Sequence, residues 1–146
     1  MKNSSKQIET ALGFIQERTK RKVRSAIYGI CKEVIMQTPV DTGRLINNWY
    51  ASNKKPVQLS TKAVDKSGKN SLARVNKALT RLKLGQTFYL SNNLPYAAVV
   101  EFGEYPNPPK KPTGKTVNGF SKLAPQGMLR IGLIRGLAKF RASGGK

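Results

Sequence analysis

Seven side-chain carboxylates, one thiol and no imidazole limit the acid–base and metal chemistry open to this chain of 146 residues. Without histidine there is no Ser-His or Cys-His pair and no His-ligated zinc. A single cysteine forms neither an internal disulfide nor a multi-cysteine metal site. Cys31 follows Ile30 in an amphipathic stretch and reads as a buried, inert thiol. A metal nuclease would need two or three carboxylates converging on a hard cation. Of Glu9, Glu17, Glu33, Asp41, Asp65, Glu101 and Glu104, only Asp41, Glu101 and Glu104 lie beside turns that could shape such a site. Gly103 breaks the helix between the last two, so their convergence is not assured. The plainer reading is that Asp41 caps a turn and Glu101 balances an Arg or Lys. No glycine-rich phosphate loop, zinc-finger spacing, RRM signature or GXXG loop is present, so sequence-specific readout of nucleic acid has no support. The residues call for no cofactor and no metal.

The remaining chemistry is charge. There are 27 Lys+Arg against 7 Asp+Glu, a formal net charge of +20. A body this small and this basic favours polyanion partners, nucleic acid through phosphate neutralisation and counterion release first, with an anionic membrane or an acidic protein surface also open, and charge alone does not choose among them. The charge is uneven. Residues 51–84 hold nine basic side chains and one acidic; residues 120–146 hold six and none. Residues 85–119 are nearly neutral and rich in proline and aromatics, which suits packing or contact. A solvated surface is the bland alternative for any of these basic runs. No apolar run is long enough to cross a membrane, and the polar Met1–Lys6 stretch leads into no secretory signal, so no membrane partner is expected.

The elements that must position these groups are legible in the periodicity. Ile8, Leu12, Ile15, Val23, Ile27, Ile30 and Val34 make one stripe, predicting a long helix over residues 4–37. Ser4 and Gln7 resemble a capping box at its start, Gly13 is a place to bend, and Thr38-Pro39 stops it. About 33 residues at 1.5 Å rise give roughly 50 Å, long enough that part of the helix projects onto another subunit. Residues 39–44 form a turn, with Asp41 or Thr42 as cap and Gly43 at positive φ. Residues 45–52 have strand composition. Residues 53–70 read as a long basic loop or flexible hairpin. Leu72, Val75, Leu79 and Leu82 predict a helix over 71–84 with Gly85 as its C-cap. Residues 87–91 read as a strand, Asn92-Asn93 as a turn, and 95–102 as a short helix with Pro95 near its first position. The proline-rich stretch 104–119 reads as an extended loop without regular structure. A last helix is expected over 125–140, weakened by Gly132 and Gly136, then a frayed tail at 143–146. The 146 residues read as a single domain.

Three separated segments carry a resemblance. The first is Thr38-Pro39-Val40-Asp41-Thr42-Gly43-Arg44-Leu45 with Trp49 after it. The second runs from Asn92 through Pro95-Tyr96-Ala97 to Glu101-Phe102-Gly103. The third is Pro125-Gln126-Gly127-Met128 with Arg130. In this order, after a long amphipathic helix, they resemble the small neck or tail-completion (head–tail joining) proteins of long-tailed bacteriophages. The resemblance spans about residues 5–140. It implies an α+β fold with the long N-terminal helix packed on a small, mainly antiparallel sheet and further short helices, one near the C-terminus. It implies a virion protein without catalytic activity that forms a homo-oligomeric ring, a hexamer by expectation, at the head–tail junction. Its neighbours would be head-connector and tail proteins, and its channel would carry DNA. On that reading Asp41, Thr42 and Gly43 form the first motif's turn. Asn92, Tyr96, Glu101 and Gly103 shape the second, and Pro125, Gln126, Gly127 and Met128 the third.

The basic loop and tail lie outside the motifs. Lys54, Lys55, Lys62, Lys66 and Lys69, with Lys122, Arg130, Arg135, Lys139 and Arg141, are the candidates to face DNA or acidic partner proteins. The long helix, the 104–119 loop and the aromatic 88–102 segment are the expected interface. The competing reading is a free basic nucleic-acid-binding protein without sequence specificity.

Overall fold

The structure, a computed structural model, describes residues 2–145. It is α+β. One 36-residue helix, α1 (Lys2–Gln37), runs unbroken through Gly13 and rises about 54 Å. It begins before Ser4, so Ser4 is an interior residue and no capping box forms. Its end lies where Pro39 requires. Thr38 N–H donates to the Ile35 carbonyl at 3.2 Å, and the Thr38 hydroxyl donates to Val34 O at 3.1 Å. The same hydroxyl accepts the Trp49 indole N–H at 2.8 Å in a fully buried contact, which ties the first motif to the helix end.

Gly43 has φ +91° and its carbonyl accepts Asp65 N–H at 3.1 Å. A Cβ there would stand 2.7 Å from Lys66 N, so the turn and the basic loop meet too closely for a side chain. The turn is fastened by the Thr42 hydroxyl, which accepts Arg44 N–H at 3.2 Å, rather than by the exposed Asp41 carboxylate. The strand expected from residue 45 starts later. Ile46–Asn48 form a 3-10 turn, and β1 is Trp49–Ser52. The reason is the two asparagines. Asn47 and Asn48 are buried and reach out to a second segment. Asn48 donates to Thr61 O at 3.1 Å and accepts Thr61 N–H at 2.8 Å, and Asn47 donates to Ala63 O at 3.0 Å. These bonds correct the flexible-loop expectation: residues 53–70 are strapped to the body.

β1 pairs antiparallel with β2 (Tyr89–Asn92), Trp49 opposite Asn92. Between them α2 (Lys69–Thr80) lays Val75 and Leu79 into the core. It ends at Thr80, so Gly85 serves a later turn and does not cap it. α2 carries Lys77 in its last turn and Arg81 as C-cap, and α1 adds a further cation there. Arg24 donates to Thr80 O at 3.0 Å and Leu82 O at 3.4 Å, where positive charge complements the helix dipole.

α3 (Ala97–Phe102) has Tyr96 as its N-cap, so Pro95 precedes the helix. The stretch expected to be structureless contains a hairpin, β3 (Thr116–Val117) with β4 (Phe120–Ser121). Asn118 and Gly119 both have positive φ, the geometry of a tight two-residue hairpin turn. α4 (Leu129–Ala142) starts four residues after the position expected at Pro125. Its end is capped: Gly145 N–H reaches Phe140 O and Gly144 N–H reaches Arg141 O, each at 3.0 Å, in place of the frayed tail. Lys146 lies outside the described residues.

α4 lies along the C-terminal half of α1. Gly132 and Gly136 make this possible. A Cβ on Gly132 would sit 2.4 Å from Val34 Cα, and one on Gly136 would sit 2.6 Å from Ile30 Cα. Two glycines four apart face the same way on a helix, so they bring the backbones into contact. Beneath this layer Cys31, Val34, Ile35, Trp49, Val100 and Met128 form the centre of the core. Burial pushes the Cys31 thiol up to about 12, so it is an inert apolar filler.

Candidate functional site

The three motif segments are far apart in sequence and meet in space. Asn92, the last residue of β2, donates to Leu45 O at 3.0 Å and accepts Leu94 N–H at 3.3 Å. That joins the second motif to the first. Glu101 joins the second to the third. Its residue is only 5% exposed, and its carboxylate sits over the start of α4. Oε2 accepts Met128 N–H at 2.8 Å and Leu129 N–H at 2.7 Å. Oε1 accepts Arg130 N–H at 3.1 Å and the Arg130 Nε–H at 2.9 Å. Arg130 Nη2 also donates to the Glu101 carbonyl at 2.7 Å. Helix N-terminal N–H groups lack intrahelical partners, and an anion satisfies both their bonds and the dipole. Burial pushes the Glu101 carboxyl up, but these bonds outweigh it and hold the group below the usual range.

Both oxygens of Glu101 are therefore committed, and it is not open to a cation. Asp41 and Glu104 are exposed. Among the described residues no group of three or more His, Cys, Asp or Glu side chains stands together. Gly127 is part of the same clasp, since a Cβ there would lie 2.7 Å from the Glu101 carbonyl oxygen. Met128 is buried beneath it, while Pro125 and Gln126 are exposed on the turn before α4. Gly103, which ends α3 at φ +69°, lets the Phe120 ring pack against the backbone.

Between the 39–45 turn and the proline-rich segment lies a cleft of about 930 Å³. Val40, Tyr96, Tyr105 and the exposed Leu123 are among its apolar lining residues, with the buried Leu45 and Val100 behind them. Burial and the nearby Tyr105 and Asp41 raise the Tyr96 phenol, against the pull of Arg44. Arg44, Lys110, Lys111, Lys115 and Lys122 ring the opening, with Asp41 the one acidic residue among the lining groups. The cleft is thus an apolar trough with a cationic rim.

The basic residues singled out in the sequence divide into two kinds. Lys54, Lys55, Lys62, Lys66, Lys69, Arg135 and Arg141 are exposed, and Lys122 stands on the cleft. Arg130 and Lys139 have structural duties instead. Arg130 clasps Glu101 and lies over the Phe102 ring, and Lys139 pairs with Glu33, joining α4 to α1. Of the basic run Arg18, Lys20, Arg21, Lys22 and Arg24 in the middle of α1, Arg24 is committed to α2.

A further surface is the first half of α1. Ile8, Leu12, Ile15 and Phe14 are between 51% and 73% exposed, and every residue from 3 to 19 is exposed. The stripe that α4 covers at Ile30 and Val34 continues there uncovered. Proline and glycine hide in the sequence the hairpin that shapes the cleft wall, so nothing there singles out the lysines of the proline-rich loop. The Asn118-Gly119 pair was the available signal. Among the described residues no helix is long and apolar enough to cross a membrane. No family model, curated protein or solved structure matches the chain.

Proposed function

We propose that the protein is a non-enzymatic virion subunit that assembles into a ring, a hexamer by expectation, at the head–tail junction of a long-tailed phage. It joins the capsid connector to the tail around the DNA channel. The observation that carries the reading is the convergence of the three motif segments through Asn92 and Glu101, beside a helix whose first half is left bare. The motif residues are committed to holding the fold, as a structural subunit requires, and the bare helix is a surface for a neighbour. The exposed lysines of residues 54–69 and the basic groups on α4 then meet channel DNA or acidic rings above and below. Such contacts neutralise phosphate without reading bases, and many weak, screened ones permit release of the genome.

The test is mass spectrometry of purified virions of the encoding phage, with negative-stain microscopy of the isolated protein. The protein in virions, and rings in the microscope, are the expected result. A stable monomer that is absent from virions and binds duplex DNA with a steep salt slope would overturn it in favour of a free nucleic-acid-binding protein.

A further inference from the structure

Three segments far apart in sequence meet at the end of α2. Arg24 of α1 donates to Thr80 O and Leu82 O, and Asn53 donates to Ala78 O at 2.7 Å. Ala78 to Leu82 is about one helical turn, so α1 around Arg24, the start of the 53–70 loop and the end of α2 share one small area of surface. Each segment brings cations. Lys20 and Arg21 stand four and three residues before Arg24 and share its face of α1 with one carboxylate, Glu17. Lys54 and Lys55 follow Asn53, and Lys77, Arg81 and Lys83 come from the last turn of α2 and the residues after it. All of these cations except Lys20 and Arg24 are exposed. Counted whole, residues 17–24, 53–55 and 77–83 hold ten basic side chains and one acidic. Wider margins do not alter the balance: residues 10–32, 42–64 and 66–100 hold no carboxylate besides Glu17. Among the described residues the ion pairs are Arg130–Glu101 and Lys139–Glu33, so none of these cations is in one.

We infer that this surface binds the phosphate backbone of duplex DNA without reading its sequence. A helix C-terminus by itself repels phosphate, but Arg24 covers the last carbonyls of α2 and leaves the other cations in excess. The make-up of the patch selects among polyanions. A protein partner calls for an apolar centre, from which lysine is depleted. A lipid surface calls for apolar groups that insert beside the cations. Here Leu79 and Leu82 are buried, and Val23 and Leu84, at the margin, are the exposed large apolar side chains in or next to the three segments. Single strands call for aromatic rings on which bases stack, and the three segments contain none. A cationic surface without rings fits the outside of a duplex, where phosphate contacts carry charge and no base identity. The phosphate contact rests on the patch alone, which is complete in one subunit; the choice of DNA rests on the junction reading.

The test compares two full-length variants of equal net charge. One carries Arg21→Gln, Lys54→Gln, Lys77→Gln and Lys83→Gln, drawn from all three segments. The other carries Lys110→Gln, Lys111→Gln, Lys115→Gln and Lys122→Gln on the cleft rim. Every residue replaced is exposed, so both should keep the wild-type circular dichroism. The probe is a labelled DNA duplex of mixed sequence, titrated by fluorescence anisotropy over a range of salt. In the patch variant the slope of log affinity against log salt is expected to become shallower by about 3 to 4, near one for each lost phosphate contact, and in the cleft variant by less than about 1. The loss should be the same on A·T-rich and G·C-rich duplexes. Lys54→Arg, Lys77→Arg and Lys83→Arg together, which keep the charge, should bind as wild type does. An equal change of slope in the two glutamine variants would overturn the inference and reduce the binding to net charge. Patch-dependent binding to polyglutamate or to phosphatidylserine vesicles that displaces the duplex would overturn it in favour of an acidic protein or a lipid surface. Tighter binding to single strands or to duplex RNA would overturn the assignment to duplex DNA. A wild type that ignores the duplex yet is present in virions would overturn the inference and leave the ring reading standing. Patch-dependent binding by a protein absent from virions would support the patch and sink the ring.

Discussion

The two halves of α1 carry one apolar stripe and live in different worlds. From Ile27 to Ile35 the stripe and its neighbours are covered by α4, α2 and the core. From Ile8 to Ile15 the same spacing is open to solvent. Periodicity therefore reports that a face will be covered, and not by what. The covered half is recognised by what lies opposite: glycines where α4 touches it, Arg24 at the end of α2, Lys139 against Glu33. The bare half has no such counterpart within the subunit. If the halves differ in this way, substitutions in one should cost folding, and substitutions in the other should cost only assembly.

The strongest way to break the comparison is at the helix contact. Gly132→Val places a branched side chain where even a Cβ would be 2.4 Å from the Val34 backbone. Gain in helix propensity offsets only about 0.3–0.5 kcal/mol, because a β-branched valine is itself a poor helix former. Overpacking against backbone should still leave the protein destabilised by about 2–3 kcal/mol in urea unfolding. A neutral or stabilised variant would mean that α4 is not seated on α1.

The next effect tests the Glu101 clasp. Glu101→Gln keeps the shape but removes the charge that four N–H groups point to. The expected loss is about 2 kcal/mol at pH 7, in the range for charge-assisted bonds at a buried group. The sign with pH follows from the lowered carboxyl. A group with a depressed folded pKa contributes stability that is present above its unfolded value, near 4.3, and lost as pH falls through the folded one. Wild type should approach the Gln variant as pH falls below about 4. A gap that holds constant down to pH 2 would show that the carboxylate charge is not what stabilises the junction.

These two sites also show what the sequence could and could not reveal. The helices expected over 4–37 and 71–84, which form as Lys2–Gln37 and Lys69–Thr80, the stop at Thr38-Pro39 and the positive φ of Gly43 are local properties, and local patterns show them to within a few residues. Gly132 and Gly136 read as helix weakeners because propensity counts a glycine against a helix. Their value appears only when a second backbone is brought near. The role of Glu101 depends on N–H groups 27 to 29 residues further on, which no window along the chain contains. Asn47 and Asn48 sit inside a run of strand-forming residues, yet their bonds to the 61–63 backbone turn that run into a 3-10 segment. Polar composition alone predicts a flexible loop there, whereas its order comes from those side chains.

A smaller effect is expected at the junction of the two halves. Arg24→Ala removes one of the cations at the C-terminus of α2, where Lys77 and Arg81 remain, and leaves the Thr80 and Leu82 carbonyls to solvent. About 1 kcal/mol is expected, from one partly exposed charged bond and a helix-end charge. Hydrogen exchange at the end of α2 should rise while the Glu101 junction stays protected. Equal loosening of both would show that the two regions unfold as one unit.

The smallest change in subunit stability belongs to the bare half, and it draws the sharpest contrast. Ile15→Asp removes an apolar group that is already in water, so unfolding of the isolated subunit should move by no more than about 0.5 kcal/mol. Self-association should nevertheless be lost. The opposite pattern, a subunit that unfolds more easily while its association is intact, would mean that the stripe is covered by its own chain. The exposed lysines give a second contrast of this kind. Reversing Lys54, Lys55, Lys62, Lys66 and Lys69 together exchanges five solvated cations for anions and should leave the fold intact. On the junction reading it impairs virion assembly or genome retention. Normal infectivity with all five reversed would reduce this part of the +20 charge to a solvated surface.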